Sequence, residues 1–162
     1  MEDMLVKLYE LPNYNNIINT LEEKDIIISR AMAPDKYILL DWIETHSSIY
    51  AKGEASVCFS NRPISLYVAT KGKEIIGYAC YNATKLGFFG PTRVDDKYRG
   101  LGIGKALLFK SLDAMRNEGY GYAIIGGVGP KDFYKKCVNA IEIPDSNPGV
   151  YKDFIGMRQW IK

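Results

Sequence analysis

Three cysteines are all the chain has, Cys58, Cys80 and Cys137. Their number is odd and no Cys-x-x-Cys or other metal-like spacing accompanies them. This argues against a disulfide framework and a structural metal site. Cys80 lies in the apolar run Ile75 to Tyr81 and reads as a small core residue. There is one histidine, His46, and no paired histidine signal that would activate Cys58 or Cys137 as a nucleophile. Long apolar runs are also missing: none approaches the ~18 residues of a membrane span. The first residues are acidic and polar, with no apolar signal core. The formal net charge of +2 is too small to imply a nucleic-acid or membrane partner. These absences lead us to expect a reduced, cytoplasmic protein with no metal, no nucleic acid and no membrane association.

What remains is ordinary globular composition over 162 residues, enough for one domain with a full core. No internal repeat or linker divides it. Met4 to Leu11 partly alternates and reads as a short extra strand or a loose arm, so residues 1–24 are expected to be an N-terminal extension. Asn16 to Glu23 carries Ile17 and Leu21 at helical spacing. The β-branched Ile26-Ile27-Ile28 reads as the first strand of the main sheet. Pro34-Asp35 opens a helix whose apolar face holds Ile38, Leu39, Trp42 and Ile43, ending at His46-Ser47-Ser48. Tyr50 to Phe59 is ambiguous. Ser65 to Thr70 and Glu74 to Tyr81 are strands joined by a tight turn at Lys71-Gly72-Lys73. Leu86 to Val94 is a further strand in which Gly90-Pro91 marks either a bulge or a later start, since proline cannot donate to a ladder. A helix then runs from Ile103 to Glu118, with Leu107, Leu108, Leu112, Ala114 and Met115 inward and Gly119 as its stop. Tyr122 to Val128 and Val138 to Ile143 read as strands around a helix opened by Pro130-Lys131-Asp132. The tail from Val150 to Lys162, with Tyr151, Phe154 and Trp160, is expected to pack back on the domain.

The densest signal is Tyr98-Arg99-Gly100-Leu101-Gly102-Ile103-Gly104-Lys105, where a strand gives way to a helix. A helix start carries N–H groups without intrahelical partners and the positive end of the helix dipole. Glycines let an anion reach that backbone with no Cβ in the way, and a diphosphate suits it best. The spacing is neither G-x-G-x-x-G nor a P-loop. It is R-x-x-G-x-G, met by Arg99, Gly102 and Gly104. This resembles the pyrophosphate loop of the GNAT superfamily, the acyl-CoA-dependent N-acyltransferases. Three further landmarks follow the same order. Val94 through Gly100 looks like the end of that family's fourth strand and the start of its glycine-loop helix. Tyr122 to Val128 looks like its fifth strand, and Phe133-Tyr134-Lys135-Lys136 looks like its "FY-x-K" segment.

The resemblance implies an α/β (α+β) fold: a mixed, mostly antiparallel sheet with a splayed parallel strand pair flanking the glycine-loop helix. It implies acetyl-CoA as co-substrate. The pantetheine arm would pair with the strand edge at Val94 and Asp95, and the diphosphate would meet Arg99, Gly100, Leu101, Gly102, Ile103, Gly104 and Lys105. Lys131, Lys135 and Lys136 read as a solvated helix face, although they could lie near the adenosine end of CoA. Tyr134 matches the tyrosine that protonates the departing thiolate, a group whose conjugate acid has a pKa near ~8.5. The family's usual strand glutamate is missing from Leu86 to Arg93, and its usual asparagine from Gly126-Gly127-Val128-Gly129. The base is left to an ordered water, Glu54, or an acceptor that arrives deprotonated. Asp95 and Asp96 read as loop caps and His46 as a cap or surface group. Acceptor specificity should come from the aromatic first third, with Tyr37, Trp42, Tyr50 and Phe59. The expected activity is acetyl transfer to a primary amine, on a small molecule or a protein, by direct attack in a ternary complex. The alternatives are a non-catalytic acyl-CoA binder or an interaction module on the same fold. A homodimer is left open.

Overall fold

A computed structural model of the chain describes residues 1–158. Along the chain run β1 (Met4–Lys7), α1 (Asn15–Glu22), β2 (Ile26–Arg30), α2 (Lys36–His46), α3 (Ile49–Cys58), β3 (Leu66–Lys71) and β4 (Glu74–Tyr81). They are followed by β5 (Phe88–Val94), α4 (Ile103–Asn117), β6 (Tyr122–Ile125), α5 (Lys131–Val138), β7 (Ile141–Glu142) and α6 (Ile155–Arg158). The strands form one sheet in the order β2-β3-β4-β5-β6-β1-β7. All neighbours are antiparallel except β5 and β6, which are joined through α4.

Alternation along β4 sends Ala79 and Tyr81 to one face and Tyr78 and Cys80 to the other. The first face is covered by α4, with α1 beside it; Leu107, Leu108, Phe109, Leu112 and Met115 of α4 are buried there. The second is covered by α2 and α3 through Leu39, Leu40, Ile43, Ala51, Ala55 and Cys58. Two hydrophobic layers thus clamp one sheet. Each fully buried leucine contributes roughly 1.5–3 kcal/mol.

Several elements differ from the sequence reading. Residues 1–24, expected as an extension, supply β1 and α1. Met4, Val6 and Leu8 are completely buried because β1 lies between β6 and β7, inside the sheet. The ambiguous segment from Tyr50 is the helix α3, started by Ser48, whose hydroxyl accepts from the Ala51 amide at 3.0 Å. β6 ends at Ile125, short of Val128, because Gly126 and Gly127 leave the ladder. α5 runs one residue further than expected, to Val138, where Asn139 takes a left-handed cap, so β7 shrinks to Ile141–Glu142. The tail returns to the domain through a turn at Gly149–Tyr151 and through α6. The expected packing of Trp160 lies outside the described residues.

The Gly90-Pro91 alternative resolves to a bulge. Ala79 pairs with Thr92 and Tyr81 with Phe89, so Cys80 alone lies opposite Gly90 and Pro91. The bulge has a direct consequence for β6. That strand pairs with β5 only at Phe88 and Phe89, and beyond the bulge the two part.

Candidate active site

The parting of β5 and β6 opens a cleft of about 750 Å³. Its walls are Thr92 to Val94 of β5, the loop from Tyr98 into the first turn of α4, and Pro130, Phe133 and Tyr134 at the start of α5. Among the described residues the edge of Thr92, Arg93 and Val94 that faces away from β4 has no strand partner. It therefore offers backbone donors and acceptors to a ligand with amides of its own.

At the loop, Gly102 sits at the helix N-cap with φ +88°, a left-handed conformation that glycine takes without strain. No side chain among the described residues caps α4. Among the described residues the amides from Gly100 to Lys105 have no acceptor, and the ladder resumes only at Ala106, which donates to Gly102 at 2.9 Å. Six consecutive open amides at the positive end of a long helix form a cradle for an anion. A Cβ at Gly104 would meet only Val94 Cγ2, at 3.7 Å, so the approach to this turn is clear.

Arg93, Arg99 and Lys105 line the same cleft, and among the described residues no carboxylate does. Arg99 is tied to the loop by an ion pair with Asp96 Oδ1 at 2.9 Å, a carboxylate that Arg93 also approaches at 3.4 Å. Part of the counter-charge for these two arginines is therefore supplied by the chain itself. The Nε of Arg93 is buried and has no hydrogen-bond partner among the described residues.

Most predicted cofactor residues are brought together here: Val94, Arg99, Gly100, Gly102, Ile103, Gly104 and Lys105 all line the cleft. Asp95 and Leu101 do not. The carboxylate of Asp95 instead caps the turn at Asp96–Tyr98, accepting from the Lys97 amide at 3.1 Å. Its other oxygen lies 3.7 Å from His46 Nε2. His46 is itself stacked on Trp42 at 3.7 Å, with Nδ1 at 2.9 Å from the Trp42 carbonyl. The end of α2 is thus fastened to the start of the glycine loop, a link that the sequence did not disclose. Lys131 and Lys135 turn to Glu142, each at 3.2 Å from Oε1, and not into the cleft.

Tyr134 closes the inner end of the cleft. Its ring is edge-on to Phe89 and Phe133, with centroids 6.4 and 5.1 Å away, and only 6% of the residue is exposed. Burial pushes its hydroxyl up to about 12, so it stays protonated throughout the neutral range. Among the described residues that hydroxyl has no hydrogen-bond partner. A smaller space of about 210 Å³ continues past Tyr134, between the β5 bulge and Gly126–Gly129. Cys137, one turn further along α5, has its thiol pushed up by burial against the opposing effect of Lys105, which disfavours a thiolate.

The glycine segment after β6 has one anchoring side chain, Val128, buried in the core, and the N-terminus holds its backbone. Asp3 is 7% exposed and accepts from the Gly127 amide at 2.8 Å, while the Glu2 carbonyl accepts from Val128 at 3.1 Å. Asp3 was not among the expected site residues. The available hint was that four residues containing three glycines, standing beside a site, need support from elsewhere.

Comparison with known proteins agrees with this geometry. The chain belongs to the acetyltransferase (GNAT) family, whose pattern it matches over residues 28–137. No curated protein matches the sequence. Among solved structures, the GCN5-related glucosamine N-acetyltransferase region of a fungal multi-domain GH3 beta-N-acetylglucosaminidase superposes with a TM-score of 0.72 at 13% identity. The match covers 88% of this chain and 19% of that one. A GCN5-related N-acetyltransferase from Sphaerobacter thermophilus gives 0.61 at 17% identity, over 88% of this chain and 48% of the other. Ribosomal-protein-alanine N-acetyltransferase from Brucella melitensis gives 0.52 at 14% identity, over 70% and 90%. The chain thus spans about a fifth of the fungal protein and about half of the Sphaerobacter one. At these identities the likeness is one of fold.

Proposed function

We propose that the chain transfers an acetyl group from acetyl-CoA to a primary amine, on a small molecule or a protein terminus, in a ternary complex in the cytoplasm. The observation that carries this reading is the cleft that joins open amides of the glycine loop to a buried, protonated tyrosine. The fit to the co-substrate rests on charge and shape. A diphosphate suits the amides of Gly100 to Lys105 with Arg93, Arg99 and Lys105 nearby, and a chain of amides suits the free edge of Thr92 to Val94.

Acetyl-CoA supplies a thioester carbonyl open to attack by an amine. The residues of this chain divide the remaining work. The loop amides and the β5 edge bind and orient. Phe89, Phe133 and Pro130 keep water from the inner end. Tyr134 holds a proton at Oη for the sulfur as it takes on negative charge. The proton that leaves the amine passes to water, since among the described residues neither space beside Tyr134 is lined by a carboxylate.

Two measurements on one sample test the reading. Acetyl-CoA should raise the melting temperature, by the equivalent of about 2.7 kcal/mol at a hundred times Kd. Thiol should then be released when a panel of primary amines is added. No shift at millimolar acetyl-CoA would sink the transferase reading. A shift without thiol release across the panel would favour a non-catalytic acyl-CoA binder, the reading to which the missing strand carboxylate points.

A further inference from the structure

A second groove, of about 620 Å³, lies on the α2–α3 side of the molecule, between α3, the loop after β4 and the returning tail. Its rim is apolar and exposed: Ile49, Tyr50, Val57, Val150 and Phe154. Tyr50 and Phe154 meet edge-on at 5.1 Å, which fixes one aromatic corner. Its polar groups are acidic or neutral. Glu54 and Asp153 line it, and among the described residues no lysine, arginine or histidine does.

Beneath the rim is a half-buried trio. The hydroxyl of Thr84 donates to Glu54 Oε2, which holds that carboxylate in place, and Tyr151 lies beside them. Burial raises the Tyr151 hydroxyl and the Glu54 charge raises it further, so Tyr151 remains a neutral donor. The same hydroxyl is packed against Gly126, 2.7 Å from where a Cβ would stand. Gly126 in turn walls the space that contains Tyr134. The trio thus lies at the junction of the groove with the splay of β5 and β6.

We infer that this groove takes the acceptor, and that the acceptor is a small primary amine on an apolar or aromatic body, whose ammonium group is held at Glu54 and gives up a proton to water before the neutral amine attacks the thioester. The inference rests on the transferase reading and narrows its substrate class. Apolar walls bind the body by burial. The fixed carboxylate and the aromatic corner select a cation. Among the described residues no cationic side chain lines the groove to receive an acidic substituent. The volume lies within the ~300–1,000 Å³ range of small-molecule sites, which favours a small amine over a protein surface.

Gly53 provides a clean block. It lies in α3, lines the groove, and a Cβ there meets nothing within 4 Å. Gly53→Leu should therefore fill the groove while improving helix propensity. Glu54→Gln keeps an acceptor for Thr84 and removes the charge. Benzylamine, ethanolamine and spermidine are the probes, with calorimetry for binding, thiol release for turnover, and acetyl-CoA affinity measured on every variant. Benzylamine should be the best substrate of the three. Its affinity should fall by roughly tenfold in Glu54→Gln, the loss of one charge-assisted bond, and beyond detection in Gly53→Leu. Acetyl-CoA affinity should be unchanged in both. A preference for ethanolamine or spermidine, or benzylamine turnover that both variants leave intact, overturns the inference and leaves the transferase reading standing. Benzylamine binding in a protein that neither binds nor consumes acetyl-CoA overturns the transferase reading, and the acceptor role of the groove with it.

Discussion

Replacing Tyr134 by Phe removes one oxygen from the inner end of the cleft and keeps the ring. The hydroxyl has no partner among the described residues, so its loss leaves nothing unpaired, and the melting temperature should hold or rise slightly. The catalytic cost follows from acidity. At about 12, the hydroxyl lies roughly 3.5 pH units above the ~8.5 of a thiol. Complete proton transfer to a departing thiolate would then be uphill by about 5 kcal/mol. Tyr134 should therefore act as a hydrogen-bond donor to the charged sulfur, with the final proton drawn from water. One hydrogen bond to a charged group contributes ~1.5–3 kcal/mol, or about ten- to a hundredfold in kcat. That lies below the ~10²–10⁴ range for general acids and reaches only its lower bound. The pH dependence has a definite sign. A tyrosine donates only while protonated, and its raised pKa extends that state, so the parent should show no loss traceable to Tyr134 below about pH 11. The same burial makes stability fall as pH rises between ~10, where the unfolded tyrosine ionises, and about 12. The Tyr134→Phe variant would lack that fall. Single-turnover thiol release with a saturating amine, at several pH values, isolates the chemical step. An unchanged rate in that assay would reduce Tyr134 to a packing residue. A melting temperature lower by several degrees would show that the hydroxyl holds the fold.

The loop glycines should separate from each other. Gly104→Val adds a side chain where a Cβ makes only an ordinary contact, so it should fold normally and weaken acetyl-CoA by about tenfold or more, measured by calorimetry. Gly102→Val must hold φ +88° and should lower the melting temperature as well, which makes it the poorer probe of binding. Parent-like acetyl-CoA affinity in folded Gly104→Val would move the phosphate site elsewhere. Asp3→Ala leaves the Gly127 amide unpaired and should cost ~1–3 kcal/mol in urea unfolding. It should also lower kcat through a looser Gly126–Gly129 segment. Parent-like stability would show that the N-terminus does not brace the site.

The glycine loop and its open helix start were legible in the sequence because their chemistry is local. A glycine loop that opens a helix presents its amides whatever surrounds it, so Gly100 to Lys105 could be read from spacing alone. The inward stripe of α4 and the strands from β2 to β5 were legible for the same reason: period and turn chemistry are properties of neighbouring residues. The bulge at Gly90-Pro91 was half legible. Proline forbids a ladder bond, but only the pairing of Cys80 against two residues shows that the strand continues. What the sequence could not determine depends on pairings across long separations. β1 is too short to declare itself and becomes a strand only because β6 and β7 lie on either side of it. Asp3 reaches Gly127 across 124 positions, and Tyr151 reaches Gly126 across 25. Glu54, which the sequence offered only as one candidate base, gets its surroundings from Thr84 and the tail. Such contacts form once the core has brought distant backbone together, and burial then gives each polar group its partner. The open amides of the glycine loop are therefore a local property of the chain, and the groove around Glu54 a product of its tertiary structure.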